Sequence, residues 1–157
     1  NQKTILFVNT NPATNDIIYE AAKKTNNPYI INRWVGGLLT NFPIISKRIN
    51  YYNDLIQKNA TGELEKYTKK EQLKFKKELE DLEILFGGVK DFNKLPDAIF
   101  VVGGHIHQIA IKEAKKTNVP VIAIVNTDDD LTDINYPIVA SDLYRSSVEY
   151  ITNFLIN

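Results

Sequence analysis

Two histidines and a group of aspartates are the residues of this sequence whose chemistry is simplest to state. His105 and His107 follow an apolar stretch, and imidazoles at that spacing bind a metal ion only when a further ligand comes from elsewhere. Residues 128–133 contain four aspartates and follow another apolar stretch. If both stretches are parallel strands, both groups lie at the carboxyl edge of a sheet, where α/β proteins bind ligands. A magnesium or other metal site is one interpretation. We favour a solvated loop in which Asp or Thr caps a turn, with no metal and no cofactor.

Three glycine pairs could approach a nucleotide, namely Gly36-Gly37, Gly87-Gly88 and Gly103-Gly104. None of them forms a dinucleotide-binding or P-loop pattern, and residues 9–12 after the first apolar run contain no glycine that would admit a pyrophosphate. We expect Gly87-Gly88 to act as a helix C-cap. The chain has no Cys and no recognisable Ser/His/Asp or glycosidase-type arrangement. A nucleotide- or flavin-binding enzyme that uses the carboxyl edge of the sheet is the alternative.

The segment at residues 33–42, RWVGGLLTNF, combines groups that suit a polyanionic partner. Arg33 can bind a phosphate through two parallel hydrogen bonds, and glycine lets the backbone approach a ligand closely. Thr40 and Asn41 could reach sugar and base edges, or they could cap the following helix. The competing interpretation is a turn that the only tryptophan, Trp34, anchors to the protein.

The composition is typical of one soluble globular domain, with 157 residues, 43% of them hydrophobic and 24% charged. No apolar run approaches the length of about 20 residues that spans a bilayer, which excludes a membrane protein of the helical kind. The 19 basic and 19 acidic side chains balance overall but not locally. Residues 1–90 carry 14 basic and 10 acidic side chains, whereas residues 91–157 carry 5 and 9. The amino-terminal part is therefore the one that could face phosphate.

Short apolar runs alternate with segments of helical periodicity, which predicts a parallel α/β sheet with right-handed crossovers. The runs predict five strands, at residues 5–8, 29–31, 98–102, 121–125 and 137–139. One helix should follow Pro12, and another should cover residues 106–116 with Ile106, Ile109, Ala110 and Ala114 on one face. A last helix should reach Leu155 from a cap at Ser141 or Asp142.

The middle of the chain, from residue 44 to residue 86, contains no strand pattern. Apolar residues recur there at spacings of four, three and four in two places, which is typical of the contact seam between two helices. These residues are Ile45, Ile49, Tyr52 and Ile56, and then Phe75, Leu79, Leu82 and Phe86. We predict an antiparallel helical hairpin at residues 44–86, inserted into an α/β domain made of residues 1–43 and 87–157. The alternative is two amphipathic helices that pack flat on the sheet.

Several segments together resemble the second protein of the small ribosomal subunit, the S-two family of bacteria and organelles. They are RWVGGLLTNF, the long stretch at residues 68–102, IAIKEAKKTNVPVIAIVNT, and the region at residues 136–146. The resemblance is collinear and covers essentially the whole chain. It implies a flavodoxin-like fold with sheet order 2-1-3-4-5 and a projecting coiled-coil hairpin. It also implies a non-catalytic ribosomal protein that contacts small-subunit rRNA and neighbouring ribosomal proteins, with no membrane partner.

Under this resemblance we predict RNA contacts at nine positions. They are Arg33, Trp34, Thr40 and Asn41 in the 33–42 loop, and Lys47, Arg48, Lys69, Lys70 and Lys74 on the hairpin. Arg and Lys would neutralise phosphates, while Trp34 would anchor the loop more than stack on a base. A solvated hairpin surface, on which glutamates balance the lysines, is the alternative interpretation of the hairpin positions.

The chain departs from the family pattern at residues 103–108, 126–128 and 140–143, and Ile, Asn and Lys make up about a third of it. These three residues use A/T-rich codons, so we predict a mitochondrial ribosome, with another organellar or a bacterial ribosome as the alternative. The family also has a segment before its first strand. We expect a separate polypeptide, a leader of this same chain or the extension of another ribosomal protein to supply it.

Overall fold

The computed structural model describes residues 3–156 and contains one sheet of five parallel strands. The strands are β1 (Ile5–Val8), β2 (Tyr29–Ile30), β3 (Ala98–Val102), β4 (Val121–Val125) and β5 (Tyr136–Val139). Their order across the sheet is β2-β1-β3-β4-β5, which confirms the predicted flavodoxin-like arrangement. The central pair is in register over its whole length, with Ile5 opposite Ala98 and Val8 opposite Val101. The chain places β2 on one side of β1 and then β3 on the other side, so the sheet has a topological switch point between β1 and β3.

Five α-helices connect and follow the strands. They are α1 (Asn15–Lys24), α2 (Phe42–Ala60), α3 (Lys69–Phe86), α4 (Gln108–Lys116) and α5 (Arg145–Ile156). The start of α3 is set by a capping box, in which the Glu71 amide donates to the Thr68 hydroxyl and the Thr68 amide donates to the Glu71 carboxylate. Pro43 lies in the first turn of α2, where its missing N–H costs no helical hydrogen bond. None of the helices in this described range is long and apolar enough to cross a membrane.

Alternate residues of each strand point to opposite faces, so the sheet has an apolar core on both sides. Phe7 and Phe100 face the side covered by α1 and α5, and their rings meet edge to face at 5.5 Å. Leu6 and Val101 face the other side, where apolar residues of α2, α3 and α4 cover them. Because both faces are covered, the strands consist of almost unbroken apolar residues.

The helices α2 and α3, which cover the seam residues of the predicted hairpin, pack against each other. The seam residues near its base, among them Ile49 and Phe86, are buried and belong to the same apolar core as Leu6 of β1. Farther out, Phe75 and Leu79 are only half-buried. One seam residue of α2, Leu55, is buried but was not in the predicted set. The division of the chain into an α/β domain and an inserted hairpin stays a prediction.

Two local expectations differ from the structure. Of the four residues predicted to share one face of the helix at 106–116, Ala110 and Ala114 are buried, whereas Ile106 and Ile109 are exposed. Ile106 lies before α4, which begins at Gln108. Asp142 does not cap α5, which begins at Arg145; its buried carboxylate accepts a hydrogen bond from Asn126.

Gly87 occupies the C-cap position of α3 but in the right-handed conformation, with φ of −55°. The predicted C-cap is therefore confirmed, without the left-handed conformation that such caps often have. The second glycine, Gly88, cannot be replaced without a clash, because a Cβ atom there would lie 2.1 Å from the carbonyl oxygen of Tyr29. This close approach packs the end of the hairpin against β2, and any larger residue would push the two backbones apart.

Candidate nucleic-acid interface

A single carboxylate organises the 33–42 loop. Glu113 is buried on α4, and five hydrogen bonds reach its two oxygens from the loop. Oε1 accepts from the Trp34 indole nitrogen at 3.1 Å and from the Gly37 amide at 2.7 Å. Oε2 accepts from the Leu39 amide at 3.1 Å and from both the amide and the hydroxyl of Thr40, at 3.3 and 3.2 Å. We call this arrangement the Glu113 clasp.

The loop folds around the carboxylate because its backbone can turn sharply. Gly37 has a φ of +86°, a left-handed conformation that side chains rarely adopt, and this turns its N–H toward Glu113. Successive N–H groups that converge in this way form a concave anion-binding site. The anion in this site is supplied by the protein itself, so the donors of the loop are already used when the protein is free of any partner.

The clasp also sets the charge of Glu113. Burial acts to raise the pKa of this carboxyl, but the hydrogen bonds from the loop outweigh burial and hold the pKa below its usual value. Glu113 is therefore ionised at neutral pH. Charge-assisted hydrogen bonds are stronger than neutral ones, so the ionised carboxylate makes the loop rigid.

Of the four loop residues predicted to contact RNA, two bind Glu113 and two are exposed without binding it. Trp34 is half-buried and donates to Glu113, so it anchors the loop as expected. Thr40 is exposed at its surface, but its hydroxyl is held by Glu113. Arg33 and Asn41 are exposed. Asn41 is the N-cap residue of α2, yet its side chain makes no capping hydrogen bond.

The predicted residues of the hairpin form two separate groups. Lys47 and Arg48 are exposed in the second turn of α2, directly after the loop, and the Arg48 guanidinium lies 5.7 Å from the centre of the Phe86 ring. Lys69, Lys70 and Lys74 are exposed in the first two turns of α3, at the other end of the hairpin. An 18-residue helix is about 27 Å long, so the two groups lie on the order of 25 Å apart.

The carboxyl edge of the sheet is closed by hydrogen bonds between its own polar side chains. His107 is buried, and its Nδ1 donates to the carbonyl oxygen of Gly103 at 2.9 Å, since a carbonyl can only accept. Its Nε2 then accepts from the Thr10 hydroxyl at 3.1 Å. Asn126 donates to the buried carboxylate of Asp142 at 2.5 Å. Burial lowers the pKa of His107, which is consistent with a neutral imidazole that bridges two loops.

The aspartate-rich loop has the turn-capping hydrogen bonds of a solvated loop. Asp129 accepts from the Asn126 amide at 2.8 Å, and Asp130 accepts from the amide and hydroxyl of Thr132 at 2.9 and 2.5 Å. Over residues 3–156 the structure contains no group of three or more His, Asp or Glu side chains placed to hold a metal ion. His107, one of the two candidate ligands, has both ring nitrogens engaged within the protein.

A family model for ribosomal protein S2 matches residues 1–157, the full length of the chain. The chain belongs to the ribosomal protein S2 family. The resemblance that the 33–42 loop and the later segments indicated is therefore confirmed. The parallel sheet with order 2-1-3-4-5 is consistent with the flavodoxin-like fold expected of this family.

Three bacterial relatives, each named small ribosomal subunit protein uS2, are similar over most of the chain. The protein of Marinobacter nauticus is 43% identical over 142 residues, which is 90% of this chain and 57% of the relative. That of Roseiflexus is 44% identical over 88% of this chain and 53% of its own length. That of Coprothermobacter proteolyticus is 40% identical over 96% of this chain and 56% of its own length. The chain thus spans just over half the length of these S2 relatives.

Glu113 is the residue of this S2-family chain that sequence reasoning missed. It lies between Ala110 and Ala114 on the buried face of α4, so a carboxylate stands within an apolar stripe. That irregularity was the available signal, because a buried carboxylate requires hydrogen-bond donors. Its donors are mostly backbone N–H groups of a distant loop, and the sequence does not show which backbone groups lie near a given side chain.

Proposed function

We propose that the chain is a structural constituent of the small ribosomal subunit that binds small-subunit rRNA and neighbouring ribosomal proteins. The observation that carries the proposal is the family match over the full chain, together with relatives named as small-subunit proteins. The role that the family implies is non-catalytic. At the carboxyl edge, His107 binds the Gly103 carbonyl and Thr10, and Asp142 accepts from Asn126.

The 33–42 loop is the first part of the proposed rRNA contact. The Glu113 clasp consumes the loop's converging N–H groups, so these groups cannot bind a phosphate. What the clasp leaves exposed is Arg33 and Asn41, held in a fixed arrangement. Lys47 and Arg48 follow within two turns of α2 and extend the same positively charged region. A rigid loop loses little conformational entropy on binding, which favours its affinity for a structured RNA.

The far end of the hairpin is the second part of the proposed contact. Lys69 and Lys70 lie in the first turn of α3, where a positive charge opposes the helix dipole and costs about 0.3–1 kcal/mol each. The capping box joins Thr68 to Glu71 and does not include either lysine, and no ion pair within residues 3–156 involves them. A stability cost of this kind is typical of residues placed for binding. Lys74, one turn later, extends the same face.

We propose that the chain belongs to a mitochondrial ribosome. The bias toward Ile, Asn and Lys and the departures at residues 103–108 support this location. The relatives described above are bacterial, and a bacterial ribosome is the alternative. A separate polypeptide that covers the surface beside β1 stays a prediction.

Co-sedimentation tests the proposal. The tagged chain should migrate with the small subunit in a sucrose gradient, and nuclease treatment should release it. Arg33→Glu should lower the bound fraction, whereas Lys116→Glu, the same charge change at an exposed site on α4, should not. A chain that stays at the top of the gradient would contradict the ribosomal role. Equal loss for both variants would contradict the role of the loop.

A further inference from the structure

An open cavity of about 250 Å³ lies at the amino edge of the sheet, opposite to the carboxyl edge whose polar side chains bind each other. It lies between the end of α1, the start of β2 and the segment that follows α3. None of the nine positions predicted to contact RNA lines it. We call it the amino-edge pocket and define it by six lining residues with polar side chains: Lys23, Asn26, Asn27, Lys90, Asn93 and Lys94.

The turn that ends α1 forms one wall of the pocket. Asn26 has a φ of +53°, in the left-handed region that asparagine tolerates. The amides of Asn26 and Asn27 donate to the carbonyl oxygens of Lys23 and Ala22 at 3.1 and 2.9 Å, so these helix-end carbonyls are satisfied. The side-chain oxygen of Asn27 accepts from the Ile5 amide at 2.9 Å. This bond fixes Asn27 to β1 and leaves its side-chain NH₂ group as a donor without a partner within residues 3–156.

The segment after α3 forms the opposite wall, and its backbone is fixed from behind. Phe92 is buried, and its ring meets the Phe42 ring edge to face at 5.6 Å. The carbonyl oxygen of Lys90 accepts from the Asn53 side chain of α2 at 2.8 Å. The side chains of Lys90 and Lys94 stay exposed. Because both walls are held by the fold, a ligand would find the pocket already formed.

The amino-edge pocket is positively charged. Among the described residues that line it, three are lysines and one, Asp91, carries a carboxylate. No ion pair within residues 3–156 involves any of the three lysines. The Nζ atom of Lys23 lies 5.5 and 5.9 Å from the centres of the Tyr19 and Tyr29 rings, and such cation–π contacts restrain the ammonium group without neutralising it. The pocket therefore attracts an anion.

The two edges of the sheet differ in what their polar side chains bind. At the carboxyl edge, His107 and Asp142 are buried and hydrogen-bonded within the protein. In the amino-edge pocket, no hydrogen bond within residues 3–156 uses the side chains of Asn26 and Asn93 or the NH₂ group of Asn27. Ammonium and amide groups that can donate predominate there, which suits a ligand with several acceptor oxygens.

We infer that the amino-edge pocket binds one nucleotide of an unpaired RNA segment, with its phosphate against the lysines. Lysine ammonium groups bind phosphate oxygens, and an asparagine amide offers the donor and acceptor pair that base edges match. The volume is below the about 300–1,000 Å³ of a small-molecule site, and a recess of this size admits a nucleotide of a loop or bulge but not a double helix. The inference rests on the proposed function, because it takes the RNA to be small-subunit rRNA.

Directed hydroxyl-radical probing in assembled small subunits tests where the RNA lies. The chain has no Cys, so a single introduced Cys carries an iron–EDTA reagent at one site only. Asp91→Cys places the reagent at the pocket and leaves its six defining residues intact. Asp128→Cys, the same change at an exposed site of the carboxyl edge, is the control. Radicals from position 91 should cleave an unpaired rRNA segment that radicals from position 128 leave intact.

A second arm measures affinity for purified small-subunit rRNA. Asn27→Asp keeps the oxygen that accepts from Ile5 and replaces the NH₂ donor by a carboxylate oxygen. It should weaken binding by about tenfold or more, because a hydrogen bond to phosphate is lost and a negative charge faces the anion. Asn118→Asp, the same change in the exposed turn that ends α4, should leave the affinity unchanged.

A third arm measures the salt dependence of the same binding. Lys90→Gln with Lys94→Gln should reduce the slope of log K against log salt by about 1.4, near 0.7 for each lost contact with a single strand. Lys112→Gln with Lys116→Gln removes the same charge from α4 and should not change the slope.

The outcomes separate the inference from the proposed function. Cleavage from position 91 together with weaker binding by Asn27→Asp would support the inference. Equal affinity of Asn27→Asp and the parent chain, or no cleavage from position 91, would overturn the inference alone if the chain still assembles into small subunits. Tight binding of AMP or of polyglutamate that Asn27→Asp abolishes, without rRNA cleavage, would assign the pocket to a free nucleotide or an acidic peptide and also overturn it. A chain that is absent from small subunits would overturn the proposed function as well.

Discussion

Glu113 accepts a hydrogen bond from the amide of Gly37 at 2.7 Å, although 76 residues of chain separate the two. The contact joins α4, on the sheet, to the loop that leads into the hairpin. It makes the shape of the loop depend on one carboxylate, and that carboxylate can be replaced without substituting any residue predicted to contact RNA.

Replacement of this carboxylate should loosen the loop. Glu113→Gln puts an amide NH₂ where one oxygen now accepts hydrogen bonds, so at least two donors lose their partner. We expect a loss of about 2 kcal/mol in the free energy of unfolding, measured by urea denaturation. The amides of Gly37, Leu39 and Thr40 should lose hydrogen-exchange protection, while Glu20→Gln, an exposed change on α1, should leave both quantities unchanged. Protected loop amides in Glu113→Gln would disprove the clasp.

The same carboxylate predicts a dependence of stability on pH. The pKa of Glu113 is lower in the folded protein than its ordinary value of 4.5, so the unfolded chain binds the proton first as the pH falls. The stabilising contribution is complete above about pH 4.5 and is lost as the pH falls through the folded-state pKa. Glu113→Gln should show a shallower loss of stability below pH 4.5 than the parent chain. Parallel curves for the two proteins would contradict this prediction.

His107 predicts a second pH effect, nearer to neutrality. Burial lowers its pKa below the ordinary value of 6.5, with the nearby charge of Asp142 acting in the opposite sense. The unfolded chain therefore gains a proton before the folded one, and stability is lost as the pH falls from about 6.5 through the folded-state pKa. Thermal unfolding of His107→Gln should be less sensitive to pH in that window. His105→Gln, at an exposed position, serves as the control.

The far half of the hairpin should unfold without the sheet. Leu79→Asp places a charge in a half-buried seam and should cost about 3 kcal/mol locally. Hydrogen exchange should accelerate in the first turns of α3 and the facing turns of α2 and should stay slow in β1 and β3. Leu73→Asp on the exposed face of α3 should have little effect. Equal loss of protection in the strands would show that the hairpin is not a separate unit.

The lysines at the far end of the hairpin should determine part of the salt dependence of RNA binding. Lys69→Ala with Lys70→Ala should reduce the slope of log K against log salt by up to about two, near one for each lost phosphate contact. Lys112→Ala with Lys116→Ala removes the same charge from α4 and should leave the slope unchanged. An unaltered slope in the first pair would assign those lysines to solvated surface.

The parts of the molecule that could be predicted from the sequence are those with a periodic pattern of apolar residues. Strands such as β3 and β4 are unbroken apolar runs bounded by polar loops, and the hairpin has a seam with fixed spacing, so both could be predicted. The order of the strands came from the family resemblance, because periodicity does not report which strands are neighbours. Two features could not be predicted. The position of Gly88 against Tyr29 depends on a tertiary approach, and the donors that Glu113 binds are backbone groups.

The separation of Glu113 from its loop has a consequence for the order in which the protein becomes active. During synthesis residues 33–42 are added to the chain long before residue 113. At about 5–20 residues per second, the interval of 76 residues lasts about 4–15 s. Throughout that time the loop lacks the carboxylate that gives it its shape. The loop can therefore take the shape that the Glu113 clasp gives it only after α4, and with it β1, β2 and β3, has been made.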